Sequence, residues 1–449
     1  MKKIKVYLAA ACAISMASAP FFVTAASAQV SGHRDTVSAN GREVIQFWNF
    51  WGSPQHQPII QHIVNAFNAS QNKIFVQNDY LPWGAIWTKE LATVAAGNPP
   101  DVVIQDINSV KFRAQAKQAT NLTPFLKKDN ILKKFFPQLV SAASYNGNVY
   151  GIPYNTDTRY MYYNKTLFKA AGLNPNNPPQ TWAQLDHDAW VITNHFKKDG
   201  QYSVIGFYPL WGGFGATNWM INADGGRNFI QNKGHQVLVN TPGKLAALQW
   251  IDSYTRKLGL STVETFQSQF GSNQQDPFLS GKVAIYPNLP NFYQNIAAYA
   301  PKLNFGIAPM PSRTATSGHW SWGGGFDAEI PYGSKHAAAA WQFIKFLTNA
   351  QSQAYWAENV YDTVGNRQAI EIAAHDKKLT PQAQMVWKAT LANLKWTVLT
   401  PQELWAPNYM NIINNQINAA TNLEFPPQKA LTFAQQQVER LVQQTSHNG

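Results

Sequence analysis

Short apolar runs alternate with longer apolar stripes of helical spacing along the first part of the chain. Runs rich in β-branched and aromatic residues cover 44–48, 74–76 and 101–104, and stripes with apolar residues three or four positions apart cover 59–67 and 86–96. The runs suit buried strands, and the stripes suit helices that bury one face. Strand, helix, strand, helix, strand is the order of an α/β domain built on a mainly parallel sheet.

A similar alternation returns in the middle and second half of the chain. Thr181, with a glutamine three residues later, has the pattern of a capping box that starts a helix. Residues 276–286 predict a helix that leads into a strand, and residues 303–308 predict another strand, which ends at prolines. Ser334 is expected to cap an apolar helix over 337–347.

The overall composition limits the class of protein. The chain has 449 residues, of which 45% are hydrophobic and 13% are charged. A chain this apolar and this poor in charge is not intrinsically disordered and must bury a large core. Its length suggests two or three domains, yet no linker rich in proline, glycine or serine divides it. The domains therefore either pack tightly, or the chain crosses between them more than once.

The N-terminus has the pattern of an export signal. Three lysines among the first five residues precede an apolar stretch over 6–23, and residues 26–28 give the small-x-small pattern that a signal peptidase needs. We therefore expect residues 1–28 to be a signal peptide and the mature protein to lie in the periplasm. An uncleaved membrane anchor and a lipoprotein attached through Cys12 are the alternatives.

Cleavage at that site removes the single cysteine of the chain. Neither a disulfide framework nor a cysteine-based metal site is then expected, so packing must stabilise the fold. The nearest histidine pair, His56 and His62, has a poor spacing for one helix face, and neither a metal site nor a cofactor is predicted. No later segment reaches the roughly 18 apolar residues of a membrane span. Outside the cytoplasm, nucleic acid is not an expected partner.

Common catalytic motifs are absent from the sequence. It contains no G-x-S-x-G nucleophile elbow, no H-E-x-x-H zinc motif, no phosphate-binding G-x4-G-K-[ST] loop and no dinucleotide-binding G-x-G-x-x-G. A carboxylate pair drawn from residues such as Asp106 and Asp157 stays open as an acid and base for glycoside cleavage, because distance along the chain does not show proximity in space.

Aromatic and amide side chains cluster in segments that are predicted to be loops. The clusters cover 48–51, 153–157, 211–219 and 320–325, and the first two follow predicted strands. Indole and phenol rings cover the apolar C–H faces of a sugar, and amides and carboxylates match its hydroxyl groups, so the clusters indicate carbohydrate recognition. Tryptophans within helical patterns are instead assigned to the core; these are Trp182, Trp190, Trp250, Trp341 and Trp387.

Several segments together resemble one known family. The most specific lies over 145–185, which runs YNGNVYGIPYNTDTRYMYYNKTLFKAAGLNPNNPPQTWAQL, and AAGNPPDVV at 95–103 supports it. Further matches are FLSGKVA at 278–284, residues 305–311 and residues 323–347. In these segments the chain resembles the family-1 extracellular solute-binding proteins of ABC importers, which include maltose-, trehalose- and glycerol-phosphate-binding proteins.

The resemblance implies a two-lobed periplasmic-binding-protein fold of the α/β class, with a hinge between discontinuous lobes. Residues 29–155 and 327–362 would form the first lobe, and residues 156–326 and 363–449 the second. Such a protein is expected to be a monomer that closes on a small-molecule ligand and is recognised by the membrane permease of an ABC transporter.

The resemblance also implies which residues contact the ligand. Carried over position by position, they are Trp48, Trp51, Asp106, Tyr154, Asn155, Asp157, Trp211, Trp219, Trp320, Trp322, Gly323 and Gly324. A glycerol-phosphate binder would be expected to offer an arginine to the phosphate group. Arg159 and Arg367 are the arginines near the matched loops, and neither clearly occupies such a position, which favours a neutral ligand.

We therefore predict a periplasmic protein without catalytic activity that delivers a neutral carbohydrate, either a mono-, di- or oligosaccharide or a polyol, to an ABC permease. A carrier of glycerol-3-phosphate or a glycerophosphodiester is the alternative with the same fold. A secreted carbohydrate-active enzyme and a surface glycan-binding module are the alternatives from other classes.

Overall fold

A computed structural model describes residues 41–213, 215–231 and 236–447; the expected signal peptide lies outside them. The strands are β1 (Glu43–Asn49), β2 (Ile74–Tyr80), β3 (Val102–Asp106), β4 (Ser144–Tyr145), β5 (Asn148–Val149), β6 (Gly151–Thr156), β7 (Tyr160–Asn164), β8 (Lys197–Lys198), β9 (Gln201–Tyr202), β10 (Ile230–Gln231), β11 (Gln236–Val237), β12 (Ile285–Asn288), β13 (Phe305–Pro309), β14 (Ser321–Gly323), β15 (Gly325–Glu329) and β16 (Thr397–Leu399).

The α-helices complete the secondary structure of the described chain. They are α1 (Gln57–Ser70), α2 (Ala85–Ala95), α3 (Val110–Gln115), α4 (Thr123–Leu126), α5 (Pro137–Ala142), α6 (Lys165–Ala170), α7 (Trp182–His195), α8 (Gly215–Ala223), α9 (Pro242–Leu258), α10 (Leu260–Gln267), α11 (Phe292–Tyr299), α12 (Ala337–Leu347), α13 (Ala350–Val360), α14 (Arg367–His375), α15 (Pro381–Asn393), α16 (Tyr409–Thr421) and α17 (Pro427–His447). None of these described helices is both long enough and apolar enough to cross a membrane.

A five-stranded sheet with the order β2-β1-β3-β15-β6 forms the centre of what we call lobe 1. β1 lies parallel to β2 and β3, and β15 lies antiparallel to β3 and β6. The alternation predicted for the first part of the chain is confirmed, since β1, α1, β2, α2 and β3 follow one another in that order. The return of β15 from far along the chain places a late segment in the middle of an early sheet.

Helices cover the lobe 1 sheet through their apolar faces. α1 buries Ile60, Ile63, Val64 and Phe67, the stripe that its sequence spacing predicts. Phe343 of α12 lies 5.2 Å from Phe67, measured between ring centroids, so α1 and α12 pack in one core. α13 and α14 contribute to the same core.

A three-stranded antiparallel sheet with the order β12-β7-β13 belongs to a second core, which we call lobe 2. Helices α7, α8, α9, α16 and α17 bury their apolar residues there. Indole rings from three of these helices meet in its interior: Trp182 lies 4.2 Å from Trp250, and Trp219 lies 4.9 Å from the same ring. The assignment of Trp182 to the core is confirmed.

Of two predictions about helix starts, one is confirmed and the other is wrong. Thr181 and Gln184 form the predicted capping box at the start of α7. Ser334 is not the cap of α12, because that helix begins after His336. The Ser334 hydroxyl accepts from the backbone N–H of His336 at 3.2 Å and donates to Asp101 Oδ1 at 2.8 Å, so it joins the helix start to the beginning of β3.

The predicted helix within residues 276–286 is also wrong. Asp276 Oδ1 accepts hydrogen bonds from the backbone N–H groups of Phe278 and Leu279 at 2.9 and 3.1 Å, and this side-chain contact closes a turn. The chain then enters β12, which begins at Ile285. The predicted strand is present, but it starts later than the apolar run does.

Three separate segments lie side by side between the two cores. Thr156, at the end of β6, donates its N–H to the carbonyl oxygen of Thr363 at 2.7 Å, and Gly365 donates to the carbonyl oxygen of Tyr154 at 2.8 Å. β15 pairs with β6 on its other side, where Gly325 lies opposite Thr156. The expected lobe boundaries fall in these three segments, and the boundaries themselves stay a prediction.

Candidate ligand-binding site

The carboxyl ends of the parallel strands of lobe 1 meet at one edge of its sheet. β1, β2 and β3 end there, and β15, which runs antiparallel to β3, begins there. β6 also ends at this edge because it runs antiparallel to β15. Ligands of open α/β sheets bind outside the carboxyl ends of the strands. Residues that follow β1, β2, β3 and β6, or that precede β15, are therefore candidates for the site.

Four residues form what we call the polar floor of this edge: Asp106, Asn108, Asp157 and Gly324. Asp157 Oδ1 accepts hydrogen bonds from Gly324 N at 2.8 Å and from Arg159 Nη1 at 2.7 Å. A Cβ atom placed on Gly324 would lie 3.5 Å from Asp157 Oδ2 and 3.9 Å from Asn108 Nδ2, so these three residues border one space. Asn108 Oδ1 is buried and has no hydrogen-bond partner among the described residues.

The electrostatics of the polar floor are those of an acceptor-rich surface. Burial raises the pKa of the Asp106 carboxyl above its usual range, and the charge of Asp157 adds to the rise. Asp106 Oδ1 accepts from the N–H of Asn108 at 2.9 Å. Arg159 is bound to Asp157, so its charge is balanced by that carboxylate. Such a floor suits hydroxyl donors better than an anion. Within the described residues, no group of three acidic, histidine or cysteine side chains is placed to hold a metal ion.

Trp322 is the best-anchored ring near the polar floor, two residues before Gly324. Its indole Nε1–H donates to Thr400 Oγ1 at 2.8 Å, and its backbone N–H donates to Asn218 Oδ1 at 2.8 Å. The guanidinium carbon of Arg159 lies 5.0 Å from the ring centroid, and Arg159 Nη1 also donates to the Trp322 carbonyl oxygen. The half-buried ring is therefore fixed by contacts at its edge, its face and its backbone.

Trp320 and Gly323 complete the predicted aromatic and glycine loop. Trp320 packs edge to face on Trp396 at 5.2 Å and lies against Gly226, where a Cβ atom would come within 2.5 Å of the indole. Gly323 has no room for a side chain, because a Cβ atom there would lie 2.3 Å from Thr397 Cγ2. These neighbours cover part of the Trp320 side chain and leave the rest of it accessible.

The predicted residues of the β6 end divide between the hinge and the core. Asn155 Nδ2 donates to Asp362 Oδ2 at 2.6 Å, and Asn155 Oδ1 accepts from Phe326 N at 2.9 Å, so this amide joins two crossovers. Burial raises the pKa of the Asp362 carboxyl to about 7. Tyr154 is fully buried, and its ring lies 4.8 Å from that of Trp51, which is also buried. These two rings support the edge from behind.

Three further predicted tryptophans are almost completely buried. Trp48 packs on Ile86 and Val103 beneath the lobe 1 edge. Trp211 stacks on Phe266 in lobe 2, with 5.6 Å between the ring centroids. Trp219 is 1% exposed, and its Nε1–H donates to the carbonyl oxygen of Pro209 at 2.8 Å. Trp211 and Trp219 are therefore enclosed in the core of lobe 2.

A cluster of four rings at the lobe 1 edge was not among the predicted site residues. We call it the aromatic platform; it consists of Phe50, Trp83, Trp87 and Phe326. Phe50 follows β1, and the two tryptophans follow β2. Phe326 is the second residue of β15 and lies opposite Asp106. Trp83 is 61% exposed, the largest exposed fraction among the exposed large hydrophobic residues of the described chain.

A signal for the missed residues is present in the sequence. Trp83 lies in a Pro-Trp-Gly segment just after a predicted strand, as the chosen aromatic clusters do, and Asn108 lies two residues beyond the chosen Asp106. Phe326 gives no such signal, because its place at this edge depends on the late return of β15 to the sheet. Position after a strand would have found Trp83 and Asn108, and only the fold could find Phe326.

Comparison with known proteins identifies the family. A profile of the bacterial extracellular solute-binding protein family matches residues 62–382. The chain belongs to this family. Membership confirms the resemblance drawn from the sequence, and it makes the chain a solute-binding protein by family, with an extracytoplasmic location typical of the group.

Two curated relatives of this solute-binding protein are named for different ligands. A maltooligosaccharide ABC transporter solute-binding lipoprotein of Streptococcus pneumoniae is 27% identical over 285 residues, which are 61% of this chain and 62% of the relative. An sn-glycerol-3-phosphate-binding periplasmic protein of Agrobacterium fabrum is 24% identical over 453 residues and covers 93% of each chain.

Solved structures of similar shape are sugar-binding proteins. A protein named CpMnBP1, solved with mannobiose bound, is 28% identical with a TM-score of 0.73 over 88% of this chain and 99% of that one. The sugar-binding protein MalE of Xanthomonas citri is 21% identical with a TM-score of 0.74 over 90% of this chain and 98% of that one. The predicted two-lobed α/β fold is confirmed by these matches.

Proposed function

We propose that this solute-binding protein captures a neutral carbohydrate between its two lobes and delivers it to the membrane permease of an ABC transporter, without chemical change to the ligand. The observation that carries the proposal is the polar floor. Asn108 Oδ1 is a buried acceptor with no partner in the part of the chain that the structure describes, and the Asn108 side chain borders the same space as Asp157 and Gly324. Buried polar atoms are nearly always hydrogen-bonded in proteins, so an orphaned acceptor at a strand-end edge fits a ligand hydroxyl.

The ring of Trp322 supplies the second requirement of sugar binding. It is held two residues from the polar floor by Thr400 and Arg159, and its face can cover the C–H groups of a pyranose. The predicted contacts at Trp320, Gly323 and Asn155 belong to the same loop and hinge. Trp48, Trp51 and Tyr154 act in this proposal as buried support, and Trp211 and Trp219 as packing of lobe 2.

Ligand-driven closure follows from where these groups lie. The polar floor belongs to the end of lobe 1 and the hinge, whereas Trp322 is bonded to Asn218 of lobe 2. A ligand that touches both favours the closed arrangement by its differential affinity for it. We place the lobes at residues 29–155 with 327–362 and at 156–326 with 363–449, with the exception of α14, which packs in the core of lobe 1. The closed monomer would be the form that the permease recognises in the periplasm, after removal of the signal peptide.

Glycerol-3-phosphate is the second candidate ligand, because the Agrobacterium fabrum relative covers 93% of both chains. A phosphate group is best bound by a guanidinium that offers two parallel N–H donors. Arg159 already donates to Asp157 and to the Trp322 carbonyl oxygen, and the floor around it carries two carboxylates. This distribution of charge favours the neutral ligand.

Isothermal titration calorimetry with a panel of sugars and phosphate esters tests the proposal. We expect at least one neutral sugar to bind and glycerol-3-phosphate not to bind; the reverse result would overturn the neutral ligand. Asn108→Ala should weaken sugar binding, whereas Asn228→Ala, which removes another buried amide oxygen that has no partner among the described residues, should not. Recovery of the sugar unchanged after overnight incubation separates a carrier from a glycosidase.

A further inference from the structure

The aromatic platform is a continuous surface of four rings. Phe50 lies 4.8 Å from Trp83 and 4.9 Å from Phe326, and Trp83 lies 4.8 Å from Trp87, all measured between ring centroids. Three of the rings are partly covered, and Trp83 is the exposed one. The contacts are edge to face, which fixes each ring by its neighbours and leaves the outermost ring open to the solvent.

The platform adjoins the polar floor. Phe326 lies opposite Asp106 in the register of β15 and β3, and its backbone N–H is bonded to Asn155. Gly324 of the floor is two residues before it. Trp87 is anchored from below, since its Nε1–H donates to the carbonyl oxygen of Ile104 at 3.1 Å. A ligand unit on the floor therefore has the platform as its next neighbour along the edge.

Packing does not account for Trp83. A residue that stabilises a core buries most of its surface, whereas Trp83 leaves 61% of its surface exposed on a short loop between Pro82 and Gly84. Gly84 has a positive φ of 77° with no atom near its missing side chain, so the loop geometry is set by the backbone rather than by the ring. Exposed apolar patches mark interaction surfaces, and ligand sites combine aromatic lining with a few polar groups, so an exposed indole on a four-ring cluster beside the polar floor is a candidate contact for a ligand.

We propose that the aromatic platform is a second ligand subsite, so that the ligand is an oligosaccharide of at least two sugar units. This inference rests on the proposed function. One unit lies on the polar floor next to Trp322, and the following unit stacks a C–H face on Trp83. The platform contributes no charged group of its own, so it selects for length and for an apolar sugar face rather than for a charged substituent.

Calorimetry with matched chain lengths tests the inference. The probes are the monosaccharide, disaccharide and trisaccharide of the gluco, manno, galacto and xylo series. In the series that binds, we expect the disaccharide to bind about tenfold or more tightly than the monosaccharide, the scale of one well-placed aromatic contact. Trp83→Ala should remove that difference and leave the affinity for the monosaccharide unchanged, and Trp83→Phe should retain part of it.

Tyr332→Ala is the matched control, because Tyr332 is 55% exposed and lies just after β15, away from the platform. It should leave every affinity unchanged. Equal binding of the monosaccharide and the disaccharide, or an unchanged ratio in Trp83→Ala, overturns the second subsite while the proposed function stands. Failure of every sugar to bind the unmodified protein overturns the proposed function and this inference together.

Discussion

Both lobes gather indole rings, and the two gatherings differ in how far their rings are exposed to water. In lobe 2, Trp182, Trp219 and Trp250 meet inside a core built by three helices. In lobe 1, the rings of the aromatic platform lie outside the carboxyl ends of the strands, and Trp83 is mostly exposed. Ring abundance alone therefore does not locate a site, whereas position at a strand end together with exposure does.

Buried charge differs between the lobes as well. In lobe 2, the buried Asp224 is paired with Lys244 at 2.6 Å. In lobe 1, Arg113 contacts both Glu90 and Glu329, while neither carboxylate oxygen of Asp327 has a hydrogen-bond partner among the described residues. Lobe 1 thus holds more buried acid than it can pair, and its stability should respond to pH.

The largest effect is expected from Trp219→Ala, which breaks the lobe 2 gathering. The ring is 1% exposed, so the substitution should lower the free energy of unfolding by about 3–5 kcal/mol, the usual cost of removing a buried aromatic side chain. Urea denaturation measures this cost. Sugar affinity should stay unchanged; a large loss of affinity with an unchanged urea midpoint would place the ring against the ligand, as the sequence resemblance implies.

Trp322→Ala tests the opposite expectation at the polar floor. The half-buried ring covers the ligand in our proposal, so its removal should weaken sugar binding by about 1–3 kcal/mol, the scale of an aromatic anchor in an interface. Calorimetry measures the affinity, and thermal unfolding reports any loss of stability. A lower melting temperature with an unchanged affinity would assign Trp322 to packing.

Local pattern was enough for much of the fold and for part of the site. The strand runs of lobe 1, the stripe of α1 and the capping box at Thr181 depend on neighbours in the chain, and each is present in the structure. Ser334 shows the limit of such patterns. Its hydroxyl accepts from the N–H of His336, one residue before the helix begins, and donates to the distant Asp101, a contact that local spacing does not predict.

The residues of the site were harder to predict than the fold, because the sequence of a loop does not reveal which distant side chains cover its rings. Trp219 and Trp320 both lie close to glycines in the sequence, yet one is enclosed by lobe 2 and the other is partly covered. Phe326 reaches the edge only through the pairing of β15 with β3, which joins positions more than two hundred residues apart. Long-range pairing of this kind leaves no trace in local spacing.

The next prediction concerns how the free energy of unfolding depends on pH through the buried acids of lobe 1. Burial, with the charge of Glu329, raises the pKa of Asp327 well above its usual range, and burial raises the pKa of Glu90 to about 7. A raised folded pKa gives stability that is complete below the unfolded value, about 4, and is lost as the pH rises towards the folded value. Each such proton contributes a slope of about 1.4 kcal/mol per pH unit.

Urea denaturation between pH 5 and pH 8, in the unmodified protein and in Asp327→Asn, measures that slope. The amide cannot ionise, so the variant should lose the contribution of one proton, and its stability should fall less steeply as the pH rises. Asp224→Asn in lobe 2 is a contrasting variant, since it removes the partner of a buried lysine and should destabilise the protein across the whole range. Identical slopes in the unmodified protein and Asp327→Asn would show that Asp327 is already ionised in the folded state.

The smallest effect is expected from Thr400→Val, which keeps the shape of the side chain and removes the acceptor of the Trp322 Nε1–H bond. A buried hydrogen bond of this kind contributes about 0.5–1.5 kcal/mol, so sugar affinity should fall by between two- and tenfold as the ring loses its fixed orientation. Thr255→Val removes a comparable contact to Tyr208 inside lobe 2 and should change only stability. If both variants lose stability and neither loses affinity, the orientation of Trp322 is not coupled to the ligand. The difference between the lobes would then rest on the aromatic platform alone.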